Sequence, residues 1–166
     1  MKISELMKIL NNHVPFHQAE SWDNVGLLIG NDNLDITGIL TTLDCTDDVV
    51  NQAIELNTNT IIAHHPLIFK GVKRIVEDGY GSIIRKLIQN NINLIALHTN
   101  LDVHPEGVNR MLAHQLGLEN ISMINTNSSY YYKVQTFIPK NYVEDFKDSL
   151  NELGLAKDCL LYTSDA

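Results

Sequence analysis

His64 and His65 stand side by side at the end of the apolar run Thr60-Ile-Ile-Ala, and Pro66 follows them directly. Histidine is the commonest metal ligand and a frequent acid–base group, so a pair of histidines at a strand end directs attention to a cation site. A second apolar run, Asn93-Leu-Ile-Ala-Leu, leads into His98 and Asp102, and a third, around Leu40, leads into Asp44. Pro66 biases His65 toward extended backbone, and neighbouring residues of an extended chain project in different directions. The two histidines are therefore suited to serve two ions, or one ion and one substrate. A carboxylate such as Asp102 can bridge two cations, and paired metals of hydrolases lie ~3.5–4 Å apart. Three ligands do not close a two-metal site, since each ion needs about four donors, some of them water.

Each of these residues also has a plainer role open to it. Asp102 is either a bridging ligand or a cap for a helix opening at Pro105. Asp44 caps the helix beyond Thr46 or lines the pocket, and His98 is a ligand, a residue supporting one, or a core histidine. Trp22 and Asp23 belong to the polar cluster Glu20-Ser-Trp-Asp-Asn ahead of an apolar run, and are expected near the same pocket or as a packing ring with a capping carboxylate. Lys70, Lys73 and Arg74 follow the histidine pair closely and suit either phosphate or a solvated loop. His13 and His17 are separated by Pro15 and read as chance spacing, His114 as a solvated helical residue, and Cys45 as a small core residue.

The elements that position these groups alternate between helical and extended patterns, which predicts a layered α/β fold. Ile3, Leu6, Met7 and Leu10 recur at helical spacing, ending before Pro15. Val25 to Gly30 and Ile36 to Leu43 read as strands, and Asp47 to Leu56 as a helix capped by Thr46. Thr60 to Ala63 and Asn93 to Leu97, apolar throughout, read as strands buried on both faces, with a helix over Gly81–Asn91 between them. Pro105 is expected at the first turn of a helix running to Gly117. In such sheets ligands bind beyond the carboxyl ends of the strands, which is where Asp44, His64, His65, His98 and Asp102 fall. The polar stretch from Asn125 reads as a boundary, followed by a strand over Tyr131–Ile138 and a helix over Asn141–Leu153.

Composition removes several classes. The 166 residues carry 12 Lys plus Arg against 20 Asp plus Glu, a net charge of −8, which argues against general nucleic-acid binding. No apolar run approaches the roughly 20 residues of a spanning helix, and the N-terminus lacks the form of an export signal, so a soluble cytoplasmic protein is expected. Cys45 and Cys159 make no disulfide framework and no Cys-x-x-Cys zinc motif, and no P-loop glycine pattern is present.

The segments Ala19-Glu-Ser-Trp-Asp-Asn-Val-Gly-Leu, Leu43-Asp-Cys-Thr, Ala63-His-His-Pro-Leu-Ile-Phe and Leu97-His-Thr-Asn-Leu-Asp occur in that order. Together they resemble the N-terminal half of the NIF-three-like dinuclear metal-centre family, also known as GTP cyclohydrolase 1 type 2 homologues, from about Met1 to Asn125. The resemblance implies a cytoplasmic, ring-shaped homohexamer with two divalent metal ions per subunit, and metal ligands at His64, His65 and Asp102. Mixed nitrogen and carboxylate donors accept zinc, iron or manganese. It also implies a late histidine and glutamate ligand pair that this sequence lacks. In the long branch of the family a PII-like domain is inserted, and residues 126–166 resemble its start. Leu160 to Ala166 resemble translated adapter sequence, so the chain is expected to be a truncated piece of a longer protein. The activity implied is metal-dependent hydrolysis of a nucleotide such as GTP; the alternative is a non-catalytic metal-binding scaffold, metallochaperone or regulatory partner.

Overall fold

A computed structural model describes residues 1–77, 79–122 and 136–153 of the chain. They fall into two compact units, Met1–Ile124 and Asn125–Ala166. In the first, helix α1 (Ile3–His13) precedes strands β1 (Gly26–Ile29) and β2 (Ile39–Thr42). Helix α2 (Asp47–Glu55), strand β3 (Thr60–Ala63), helix α3 (Gly79–Gln89) and strand β4 (Asn93–Ala96) follow, and short helix α4 (Thr99–Asp102) and helix α5 (Val108–Gln115) complete it.

The four strands form one sheet in the order β1-β4-β3-β2. β2, β3 and β4 run parallel, as expected for strands joined through crossing helices. β1 lies antiparallel on the outer side of β4, with Gly26 opposite Ala96. The three parallel strands finish level: Thr42 pairs with Ala63, and Ala63 with Ala96. Because β1 runs the other way, the chain entering it arrives at the edge where the other three strands leave. That reversal brings the segment around Asp23 to the strand ends.

The core forms where α2 and α3 pack on the sheet. Val50 and Ala53 of α2 and Ile84 and Leu87 of α3 are buried against Ile29, Ile61, Ala63 and Leu94. All four residues of β4 are buried, as the apolar run Leu94-Ile-Ala-Leu predicts for an interior strand. Thr46 caps α2 as expected, its side chain accepting a hydrogen bond from the Val49 N–H. Asn93, at the start of β4, is fully buried, yet its carbonyl oxygen accepts from the Asn31 N–H and its amide donates to the Asn59 carbonyl.

One element differs from the sequence expectation. Pro105 does not open a helix. The Gly107 N–H donates to the His104 carbonyl at 2.8 Å, which makes His104–Gly107 a turn, and α5 begins only at Val108 with Gly107 as its N-cap. The fixed φ of proline suits the second position of such a turn as well as the first turn of a helix. The short helix α4 occupies the chain between β4 and this turn. α5 ends as expected, with Gly117 at positive φ just past its C-terminus.

In the second unit the described residues contain helix α6 (Val143–Glu152), close to the expected Asn141–Leu153. Of the expected strand Tyr131–Ile138, residues 131–135 lie outside the described residues, and Thr136 to Ile138 form no strand, with Phe137 exposed. Leu160 to Ala166 also lie outside the described residues.

Candidate metal centre

The strand ends deliver their side chains to one place. His64 and His65 continue β3, and the ladder extends past the regular strands: the His64 N–H donates to the Thr42 carbonyl at 3.0 Å and the His65 N–H to the Leu43 carbonyl at 2.9 Å. β4 ends at Ala96, and His98 begins the turn into α4. One ring nitrogen from each of His64, His65 and His98 lies within 4.8 Å of the others. Asp102, at the end of α4, places its Oδ1 3.6 Å from His64 Nε2.

Each ring is held through the same atom. His64 Nδ1 lies 2.9 Å from the Leu97 carbonyl, His65 Nδ1 2.8 Å from Asp44 Oδ1, and His98 Nδ1 2.9 Å from Asp23 Oδ1. A carbonyl and a carboxylate only accept, so Nδ1 carries the proton in each neutral ring, and the lone pair is on Nε2. This is the outer-sphere arrangement that fixes tautomer and ring direction in histidine metal sites. His64 and His65 turn to different neighbours, one toward β4 and one toward the end of β2, as extended backbone requires. One ring nitrogen of each nonetheless lies within 4.8 Å of the other. The donor types fit divalent metals: three oriented imidazoles and a carboxylate.

The two carboxylates behind the rings differ. The Asp23 side chain is fully enclosed. Burial works to raise its pKa, but bonds from His98, from the Thr99 hydroxyl and N–H and from the Asn24 N–H outweigh it, and the carboxyl stays below its ordinary value. Asp44 is exposed and grips His65 from the solvent side. Asp23, besides holding His98, accepts from the N–H of Thr99, the first residue of α4, and so also fills the capping role open to it. Asp44 caps no helix, since α2 is capped by Thr46. Asp102 likewise caps no helix; its carbonyl accepts from the Asn109 side chain at 2.9 Å.

Trp22 stands at the rim, its ring centroid 6.5 Å from that of His98 and 5.7 Å from that of Phe69, which itself lies 6.4 Å from His98. Phe69 and Thr99 are the two members of this neighbourhood that sequence reasoning passed over. Phe69 follows the buried-looking Leu67 and Ile68 and reads as one more apolar residue, whereas Thr99 is hidden behind its more conspicuous neighbour His98. Cys45 takes no part: it is buried, and its thiol is pushed up to about 11 by desolvation. Two concavities, of about 210 Å³ beside Asn93 and about 380 Å³ beside Arg74, include no member of the histidine cluster, which lies on an open edge.

The description Duf34/NIF3 (NGG1p interacting factor 3) matches residues 1–165. The chain belongs to this family. A Staphylococcus epidermidis protein named GTP cyclohydrolase 1 type 2 homolog is 94% identical over 158 residues, which cover 95% of this chain and 43% of that protein. A Staphylococcus aureus protein of known crystal structure shares 65% identity with a TM-score of 0.78, covering 94% of this chain and 45% of its own. The crystal structure of a Bacillus cereus protein related to NIF3 shares 45% identity with a TM-score of 0.70, covering 72% of this chain and 33% of its own. The NIF3-like α/β fold is thereby established, and the chain spans less than half the length of these relatives. No described helix is long and apolar enough to cross a membrane.

Proposed function

We propose that this NIF3-family chain holds part of a dinuclear metal centre that hydrolyses a nucleotide. The observation that supports this reading is the convergence of His64, His65, His98 and Asp102, with all three Nδ1 atoms already engaged. His64, His65 and Asp102 are the proposed ligands, with Asp102 the bridge, and His98 a further donor held by Asp23. Zinc, iron or manganese bound there would supply a water acidified to a pKa near ~7 and a Lewis acid for the bond under attack. The chain's own part is to orient: Asp23 and Asp44 hold two rings in one tautomer, and the Leu97 carbonyl holds the third.

The name carried by the S. epidermidis relative motivates GTP as the first nucleotide to try. Further donors are proposed to come from the part of the relatives' length that this chain does not span. A cytoplasmic homohexamer and a partial PII-like unit after Asn125 belong to the same proposal. The test is elemental analysis and a nucleotide hydrolysis screen on the metal-loaded, full-length protein beside its His65→Ala variant. Metal-dependent turnover lost in the variant is the expected result. Stoichiometric metal without turnover would replace the hydrolase by a metal-binding scaffold.

A further inference from the structure

Two large aromatic side chains lie exposed at the rim of the metal centre. Trp22 is 58% exposed and Phe69 44% exposed, although apolar surface of this size is ordinarily withdrawn from water. They touch each other and both lean on His98, so they belong to the site's wall. Their centroids are 5.7 Å apart with planes inclined at 58°. A third ring needs two contact gaps of about 3.5 Å each to enter between them, so the pair is not a clamp. It offers outward faces on which a planar group can lie.

Charge adds a second, independent observation. Phe69 is followed by Lys70, Lys73 and Arg74. None of the three has an acidic partner among the described residues, whereas Arg85, Lys86 and Arg110 pair with Glu77, Asp47 and Glu106. In a chain of net charge −8, three cations on one loop without an acidic partner among the described residues mark a place for an anion. Five residues of chain reach no more than about 18 Å, so these cations lie within the length of a nucleoside triphosphate from the aromatic rim.

We infer that Trp22 and Phe69 form a stacking platform for the planar base of a phosphate-bearing ligand, with the 70–74 loop receiving its phosphates. The inference rests on the reading above for its choice of a nucleotide, but concerns binding and not turnover. Stacking on an aromatic side chain is worth enough that its loss weakens binding about tenfold or more. Trp22, the chain's single tryptophan, reports on the platform by its own fluorescence.

The experiment titrates the zinc-loaded full-length protein with GTP, guanosine and inorganic triphosphate, following the emission lost in Trp22→Phe, which is that of Trp22. GTP and guanosine are expected to quench it, and triphosphate to compete with GTP without quenching. Phe69→Leu is expected to raise the Kd for GTP about tenfold and Phe69→Tyr to restore it. The Lys70, Lys73 and Arg74 to Ala triple variant is expected to weaken GTP while leaving guanosine unchanged. Far-UV circular dichroism checks that the variants fold, and calorimetry on Trp22→Leu and Trp22→Phe gives an independent Kd, with only the first expected to lose affinity. Unchanged GTP affinity in both folded leucine variants would overturn the platform. Binding that depends on Phe69 without any hydrolysis would leave the platform standing and remove the hydrolase. Hydrolysis with the same KM in Phe69→Leu would do the reverse.

Discussion

Asp23 is an enclosed carboxylate placed to govern the proposed metal site through His98 without joining it. It receives four hydrogen bonds, one of them from His98 Nδ1. Replacing it by alanine leaves His98 free to rotate or to change tautomer and strands the Thr99 N–H. Loss of such an outer partner lowers metal affinity ~10–100-fold in known sites. Competition with a fluorescent chelator should place Asp23→Ala in that range, and Asp44→Ala, whose bond to His65 is exposed to water, nearer the lower end. Equal zinc affinity in wild type and Asp23→Ala would mean that His98 takes no part in binding.

The elements that carry the site differ in how openly the sequence announces them. β3 and β4 each carry an apolar run, and a run of that kind followed by His-His-Pro or His-Thr-Asn-Leu-Asp places its polar residues beyond a buried strand. Grouping His64, His65, His98 and Asp44 on one edge thus needed only the α/β alternation. The direction of β1 was not readable, because a four-residue apolar strand looks the same either way, and it is this reversal that delivers Asp23. α4 escaped because four residues cannot show a period, and Pro105 served a turn in place of a helix start. Gly107 is the test of that turn: a Cβ there would overlap the Leu101 carbonyl. Gly107→Ala must move α4, and Asp102 with it. We expect a loss of ~1–3 kcal/mol in urea unfolding together with weaker zinc binding. Gly117→Ala, strained by its φ of 69° but with open space around it, should reduce stability and spare the metal. Between α2 and α3 the link is ionic: Lys86 bonds the Asp47 carboxylate and Asn51. The Lys86 hydrogen bond holds the Asp47 carboxyl below its ordinary value of 3.8. A depressed folded-state pKa stabilises above the unfolded value and is lost as pH falls through the folded one. The unfolding midpoint of the wild type should therefore fall more steeply than that of Asp47→Asn below about pH 4, and parallel curves would remove the bond from the stability of the helix pair.

For the molecule as a whole, the polar surface is interrupted by α5. Val108, Met111 and Leu112 on that helix and Leu116 at its C-cap recur at helical spacing, and all are exposed. An apolar stripe of this kind promotes association, so sedimentation of the chain should show self-association that the Met111→Lys, Leu112→Lys double variant reduces; a monodisperse wild type would show the stripe to be inert. The larger consequence lies in the three Nδ1 bonds. All are made between groups of the protein itself, and the packed core of Val50, Ile61, Leu87 and Leu94 contains no member of the cluster. For the proposed metal site this predicts an order of assembly: these orienting bonds form before any ion arrives, unlike small zinc domains in which the ion is the nucleus of the fold. Chelation should leave the far-UV circular dichroism of the chain unchanged and lower its unfolding temperature only by the linkage owed to a bound ligand. On the proposed reading, an ion that loads onto rings already turned toward it can also leave them, so the metal held there would follow supply and exchange in the surroundings, and the same polypeptide would change its metal without being remade.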